Sequence, residues 1–372
     1  MNFSIRQLTR EMAPELNTFL RRFFPQLNEN FIVEKIFGGP LLERYPEVGI
    51  FPGAVIVDEA GGIRGFTAAF PAEVYFRQRK LTSVFWGMTY VAEEARDHTV
   101  DMITYLHSDP RIEFSFCNTA NLRSAQLNKA MRYRSGPASC HGVRFAVLDW
   151  SAFAAFCASR LPVVKYFDGA VRGVSMPLGW LLRTLSVEPL PEGCRRLEVV
   201  DDVLFADFAR GLVAKNTGIL SSRAPEVLHW HYDRALASGD CVIYGYERDR
   251  RLLGYVAMRP QDECRGRVRW GILDWAAVGS DGVVLEALLR AARRHARQDR
   301  GYMLELMGYP MSAERIVAAV LPHWRNTESN YSWYSVSDRA LGREIAGAAS
   351  DSWFFGPFDG DRVICMDRGG RI

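Results

Sequence analysis

The chain has 372 residues, more than one ordinary hydrophobic core needs and suited to two domains. Its composition, 48% hydrophobic and 24% charged, is that of a globular protein, and a formal charge of +3 is too small to recruit a nucleic acid. The only lysines are Lys35, Lys80, Lys129, Lys165 and Lys215, so arginine carries nearly all the positive charge, and GC-rich codon bias explains that more simply than phosphate recognition. The cysteines Cys117, Cys140, Cys157, Cys194, Cys241, Cys264 and Cys365 are scattered, odd in number and form no C-x-x-C pair, which favours reduced thiols in a cytoplasm and no structural metal. The opening "MNFSIRQLTREM" turns polar too early for a secretion signal. The most apolar stretch, 145–164, is broken by Asp149 and Arg160 and makes no membrane span.

In chain order, "FSIRQL" reads as a strand. "MAPELNTFLRRFF" (12–24) has helical spacing, with Leu16, Phe19, Leu20 and Phe23 on one face. Residues 53–70 are two apolar runs around Ala60-Gly61-Gly62, a hairpin signal. A long strand follows at 81–92, then a loop, a helix "TVDMITYL" (99–106), a strand at 112–118 and a helix at 122–131. The segment 140–150 closes this half as a strand. Residues 151–160 read as helix, 166–185 as one or two connecting helices, and "VEPLPEGC" (187–194) as a Pro/Gly linker.

The second half repeats the first. Residues 241–258 form another hairpin, with Gly254-Tyr255 where the first has Gly65-Phe66. Trp270-Gly271 answers Trp86-Gly87, and a helix begins fourteen residues after each tryptophan, at Val100 and Val284. The strand at 302–310 and the helix at 312–324 complete the copy. The expected organisation is α/β: an N-terminal domain 1–150, a helical connector 151–194 and a C-terminal domain 195–372.

The element order of the first half, with two motifs, resembles the GNAT (GCN5-related) acyltransferase family. The family's loop V-x-x-x-x-[RQ]-x-x-G-x-[GA] follows the fourth strand, and Val91 and Arg96 match it in register, while Thr99 and Asp101 replace its glycines. Its N-P-R-A-x-x-L-Y-x-K-x-G-F helix aligns without a gap on "NLRSAQLNKAMRY" (121–133), with Asn121, Arg123, Leu127 and Tyr133 at or near the family's residue types. The resemblance implies two tandem GNAT-like domains, each a mixed central sheet flanked by helices. It implies an acyl-CoA co-substrate, with no permanently bound cofactor, whose pyrophosphate sits at a helix N-terminus where unpaired N–H groups and the dipole favour an anion. The donor site would comprise Tyr90, Val91, Arg96, Asp97, His98, Thr99, Val100, Asn121 and Ser124, with Tyr90 or Val91 supplying a backbone N–H to the thioester carbonyl.

Asn128 stands where the family's acid tyrosine is found; an amide can hydrogen-bond to sulfur but cannot protonate it. Candidates for a base are Glu73, Glu113, His98, His141 and Asp274, each of which has a structural reading as well. Cys140 and His141 are strand neighbours that point to opposite faces and cannot act on each other. In the second half no arginine precedes the helix after 270–278, so the C-terminal domain is expected to bind the acceptor. Its candidate residues are Arg223, Trp230, His231, Tyr232 and Trp275, which could equally pack a domain interface. His229 and His231 diverge on a helix and form no metal pair. The run 290–300 reads as the solvated face of a helix with Leu285, Leu288 and Leu289 buried, or as a docking patch for an acyl carrier protein.

The expected activity is CoA-dependent N-acyl transfer to a primary amine on a nucleotide-linked amino sugar, as in tandem sugar N-acyltransferases of polysaccharide biosynthesis. The alternatives are a FemAB-like aminoacyl transferase and a non-catalytic GNAT-shaped binding protein.

Overall fold

The computed structural model describes residues 2–25, 32–39, 42, 52–118, 120–137, 142–160, 188–326, 332–348, 353–354 and 356. The connecting helices expected at 166–185 lie outside the described residues, as does His141. Among the described residues no helix is long and apolar enough to cross a membrane.

The first sheet is built outward from a long hairpin. Strands β3 (Ile63–Phe76) and β4 (Arg79–Val91) pair antiparallel, with β2 (Gly53–Asp58) and then β1 (Phe3–Gln7) beyond β3. The β2–β3 turn forms as its residues require. Gly61 has φ 87°, and the Asp58 carboxylate accepts the Ala60 and Gly62 N–H groups at 3.0 and 2.8 Å. On the other side β5 (Phe114–Cys117) pairs parallel to β4. The far half of β3 is bordered by β9 (Ile219–Ser221), and β9 by β16 (Trp353–Phe354).

The second sheet repeats the plan with β8 (Cys194–Leu197), β10 (Val242–Arg248), β11 (Arg251–Cys264), β12 (Arg267–Ala277) and β13 (Gly301–Met307), β12 and β13 being the parallel pair. Gly65 and Gly254, matched by the repeat, share a packing reason. A Cβ would lie 2.7 Å from the Ile56 side chain at the first and 2.6 Å from Val284 at the second.

Beyond their fifth strands the two halves are exchanged. The strand expected to close the first half is β7 (Gly142–Val147), and it lies in the second sheet between β13 and β14 (His323–Asn326). Reciprocally, β15 (Trp333–Val336) lies in the first sheet between β5 and β6 (Arg134–Ser135). Each sheet is therefore completed by a strand from the other half of the chain.

Helices cover the sheets where their apolar stripes allow. Helix α1 (Ala13–Leu20) buries Leu16, Phe19 and Leu20 as its spacing predicts, but ends before Phe23, which is 41% exposed and lays its ring 5.1 Å from Tyr90. Helices α2 (Thr99–Leu106) and α3 (Leu122–Ala130) lie on the opposite face. Helix α4 (Trp150–Arg160) packs near β13 through Ala152. In the second half, α5 (Asp202–Lys215) and α6 (Pro225–Ala237) share one core with β11. The long α7 (Gly282–Gln298) buries Val284, Leu285, Leu288, Leu289 and three alanines, each leucine contributing about 1.5–3 kcal/mol. Helices α8 (Glu314–Val320) and α9 (Arg339–Gly347) complete the set.

Candidate functional site

The break in the first sheet lies between its two parallel strands. Ser83, Val84 and Phe85 pair with Phe114, Ser115 and Phe116, after which β4 runs on to Val91 with β3 as its ladder partner. The strands part as a V whose apex is Phe85–Phe116. Within the free arm β4 carries a bulge: Phe66 faces Tyr90 and Ala68 faces Gly87, leaving an extra residue on β4. Met88 sits there at φ 52°, a left-handed conformation rare for methionine inside a strand, and is 3% exposed. A Thr67–Thr89 hydroxyl contact of 2.8 Å fastens the bulge. No sequence signal marks Met88, because nothing about methionine favours that backbone.

The wall on one face of the V comes from α2 and α3. Trp86 packs with Ile103, Cys117 and Ala125, and its ring centroid lies 5.9 Å from both His107 and Tyr133. Asn121 caps α3, its Oδ1 accepting from the Ser124 N–H at 2.9 Å. Arg132 stands at the glycine of the helix motif and takes φ 61°, the conformation a glycine would adopt freely. Asn128 is fully buried, and neither its amide nitrogen nor its oxygen has a hydrogen-bond partner; the indole N–H of Trp86 and both ring nitrogens of His107 are likewise unpaired. Burial holds the His107 imidazole down at about 4, neutral at physiological pH.

The loop leaving β4 differs from the glycine-bearing form of the motif. Residues Glu93–His98 make a turn of 3₁₀ helix that runs directly into α2. Thr99 has ordinary right-handed helical angles, so no glycine freedom is used there, and its hydroxyl donates to the Arg96 carbonyl at 2.6 Å. The Thr99 hydroxyl is thus engaged locally. Arg96 is 58% exposed and lies 3.7 Å from Glu93. Asp101 turns outward, its side chain 68% exposed and 3.9 Å from His98. Asp97 and Val100 are also exposed, while Tyr90 and Val91 are half-buried at the top of the arm. No side chain caps the N-terminus of α2.

The remaining candidates do not converge on this V as free groups. Asp274, on β12, is 3% exposed and held by Arg223 through Nε (2.9 Å) and Nη2 (3.0 Å), with the Tyr255 hydroxyl donating to the same carboxylate. Glu73, near the β9 end of β3, is 7% exposed and pairs with Lys80, while its carbonyl accepts from the Ser222 N–H. Glu113 pairs with Arg79 and accepts from the Thr82 N–H.

The residues expected to meet an acceptor form a framework. Arg223, His231, Tyr232 and Trp275 are 2%, 6%, 0% and 3% exposed. Burial, then the charges of Lys35 and Arg223, depress His231 well below its usual range, and burial raises Tyr232. Trp230 joins the halves: its ring lies 5.7 Å from Phe70, its carbonyl accepts from Lys35 at 2.6 Å, and its indole donates to the Glu34 carbonyl at 3.3 Å. The arginines of α7 are engaged as well, Arg293 and Arg297 with the Glu188 carboxylate and Arg294 with its carbonyl, so the run clamps the segment before β8.

The second sheet has a matching V after Ile272–Leu306, and Gly356 stands beside it. A Cβ on Gly356 would lie 3.9 Å from the carbonyl oxygens of both Leu273 and Met307, the next residues on each arm, and the Gly356 carbonyl accepts from Asn118 just past β5. At the N-terminus of α7 the Asp281 carboxylate takes the Val283 and Val284 N–H groups at 2.9 and 3.3 Å, the place an anion would occupy.

Two mixed sheets, each with a splayed parallel pair and flanking helices, define a tandem GNAT-like fold. The sequence matches no family model and no curated protein. In structure the chain is similar to a GCN5-related N-acetyltransferase from Anabaena variabilis at 12% identity, covering 91% of this chain and 73% of that one with a TM-score of 0.56. It is also similar to Saccharomyces cerevisiae N-myristoyltransferase with bound myristoyl-CoA and inhibitors (11% identity, 90% and 80% covered, TM-score 0.55). A third likeness is to Eis1 from Mycobacterium abscessus (13% identity, 92% and 76% covered, TM-score 0.52). At such identities the likeness is one of fold.

Proposed function

We propose that the chain is a CoA-dependent N-acyltransferase, with the acyl-CoA held at the first V and a primary amine presented from the C-terminal half. The observation that carries this is the asymmetry between the two clefts. Both free arms bulge, β4 with Met88 left-handed and β12 at Leu273, but no side chain caps the N-terminus of α2, whereas Asp281 takes the corresponding N–H groups of α7 and Gly356 stands beside the second pair of arms.

In this reading region 1–150 binds the donor and region 195–372 shapes the acceptor side. The amine nitrogen attacks the thioester carbonyl carbon, a β4 backbone N–H near Tyr90 stabilises the oxyanion, the nitrogen gives up one proton to water, and the C–S bond breaks to release CoA thiolate. A CoA thiolate is weakly basic and leaves without an acid, which fits an asparagine at 128. Asp274 then serves as a brace for Arg223 rather than as a base. The finer proposal for the acceptor is an amino sugar linked to a nucleotide, and it rests on the sequence resemblance.

Calorimetry with acetyl-CoA tests the donor site. Saturable binding is expected, weakened about tenfold by Arg96→Ala through loss of one charge-assisted phosphate contact. No heat of binding up to about 1 mM acetyl-CoA would sink the enzyme reading and leave a GNAT-shaped binding protein.

A further inference from the structure

We propose that the first sheet itself limits the acyl group: the donor is a short acyl-CoA, acetyl or propionyl, and Phe85 and Phe116 set the limit. This rests on the placement of acyl-CoA at the first V. The thioester must lie near the apex, where β4 loses β5 as a neighbour and its backbone groups become available to a ligand. Helices α2 and α3 close one face of the sheet there, packing on Val84 and Trp86. An acyl chain longer than the V can hold has to pass to the other face.

That face is paved with rings. Phe85 and Phe116 are the last ladder pair before the strands part, so both project to the same side, 5.5 Å apart between centroids. Phe70 stacks on Phe85 at 5.7 Å with an interplanar angle of 16°, and Phe114 lies 5.7 Å from Phe116. Tyr334, brought in on the exchanged strand β15, stacks on Phe114 at 5.8 Å. Phe70, Phe85, Phe116 and Phe114 are 4%, 5%, 3% and 0% exposed, covered by α1, α9 and Trp353. Among the described residues these rings form one dense core, and making a channel through it means displacing aromatic side chains, which such packing resists. A two- or three-carbon group demands the least such displacement.

Calorimetry on the full chain with CoA, acetyl-CoA and octanoyl-CoA decides the matter. Acetyl-CoA is expected to bind at least as tightly as CoA, and octanoyl-CoA about tenfold more weakly or worse, following the cost of overpacking. Phe85→Ala or Phe116→Ala should bring octanoyl-CoA to within about threefold of acetyl-CoA; should the alanine variants not fold, Phe85→Leu should shift the ratio in the same direction. Equal affinities for acetyl-CoA and octanoyl-CoA in the wild type, or a ratio unmoved in folded variants, overturns the proposal while leaving the donor site standing. Failure of CoA itself to bind removes the donor site, and this selection with it.

Discussion

Asp274 carries a carboxylate in a setting that tolerates none without a partner, and Arg223 is that partner. With both side chains almost fully buried, removing one leaves the other charge uncompensated. Arg223→Met is expected to lower stability by about 3–5 kcal/mol, and the double variant Arg223→Met, Asp274→Leu to recover much of that loss. Urea unfolding of the three proteins measures it, and a double variant no better than the single would mean that the pair is not what the site depends on. His107 makes a pH-dependent contribution. Its folded-state value of about 4 lies below the ordinary 6.5, so the unfolded chain takes up a proton first as pH falls. The stability it contributes is present in full above about pH 6.5 and is lost progressively toward pH 4, about 3 kcal/mol across the window. His107→Phe should flatten that part of the stability–pH curve, and an unchanged slope would refute the assignment.

At the scale of elements, the helix motif and the loop motif fared differently for a local reason. Residues 121–133 form the expected helix, and the structure adds a cap at Asn121 and a left-handed exit at Arg132. Asn121→Ala should cost about 1 kcal/mol in thermal or urea unfolding, and Asn121→Ser much less, since serine caps nearly as well. A loss of stability as large for serine as for alanine would show that the side chain does something other than cap. The loop at 92–99 kept the arginine but lost both glycines, and the backbone responded by tightening into 3₁₀ helix with Thr99 bonded to Arg96. Composition at 99 and 101 announced that departure. Its form was settled by which backbone angles those residues adopt comfortably.

For the whole molecule, the exchanged strands tie the halves into one cooperative unit. β7 has neighbours on both sides in the second sheet, so a chain of residues 195–372 lacks an interior strand and leaves β13 with an unpaired edge. Residues 1–150 lack β15 in the same way. Neither piece is expected to give the dispersed amide spectrum of a folded domain, whereas the full chain should melt in one transition. Two independent transitions, or a folded fragment, would show that the exchange is not required.

Apolar periodicity and turn residues were enough, read along the chain, to locate most helices and strands and to reveal that the second half repeats the first. They sufficed because burial of a stripe or an alternating face is a local constraint on residue type. Which sheet β7 joins, where the parallel strands part, how Met88 bends and whether Arg223 is a ligand group or a brace all depend on partners in other elements of the chain. Those were decided only when the two sheets closed around each other's strands, because a long-range pairing leaves no periodic mark on either of the segments it joins.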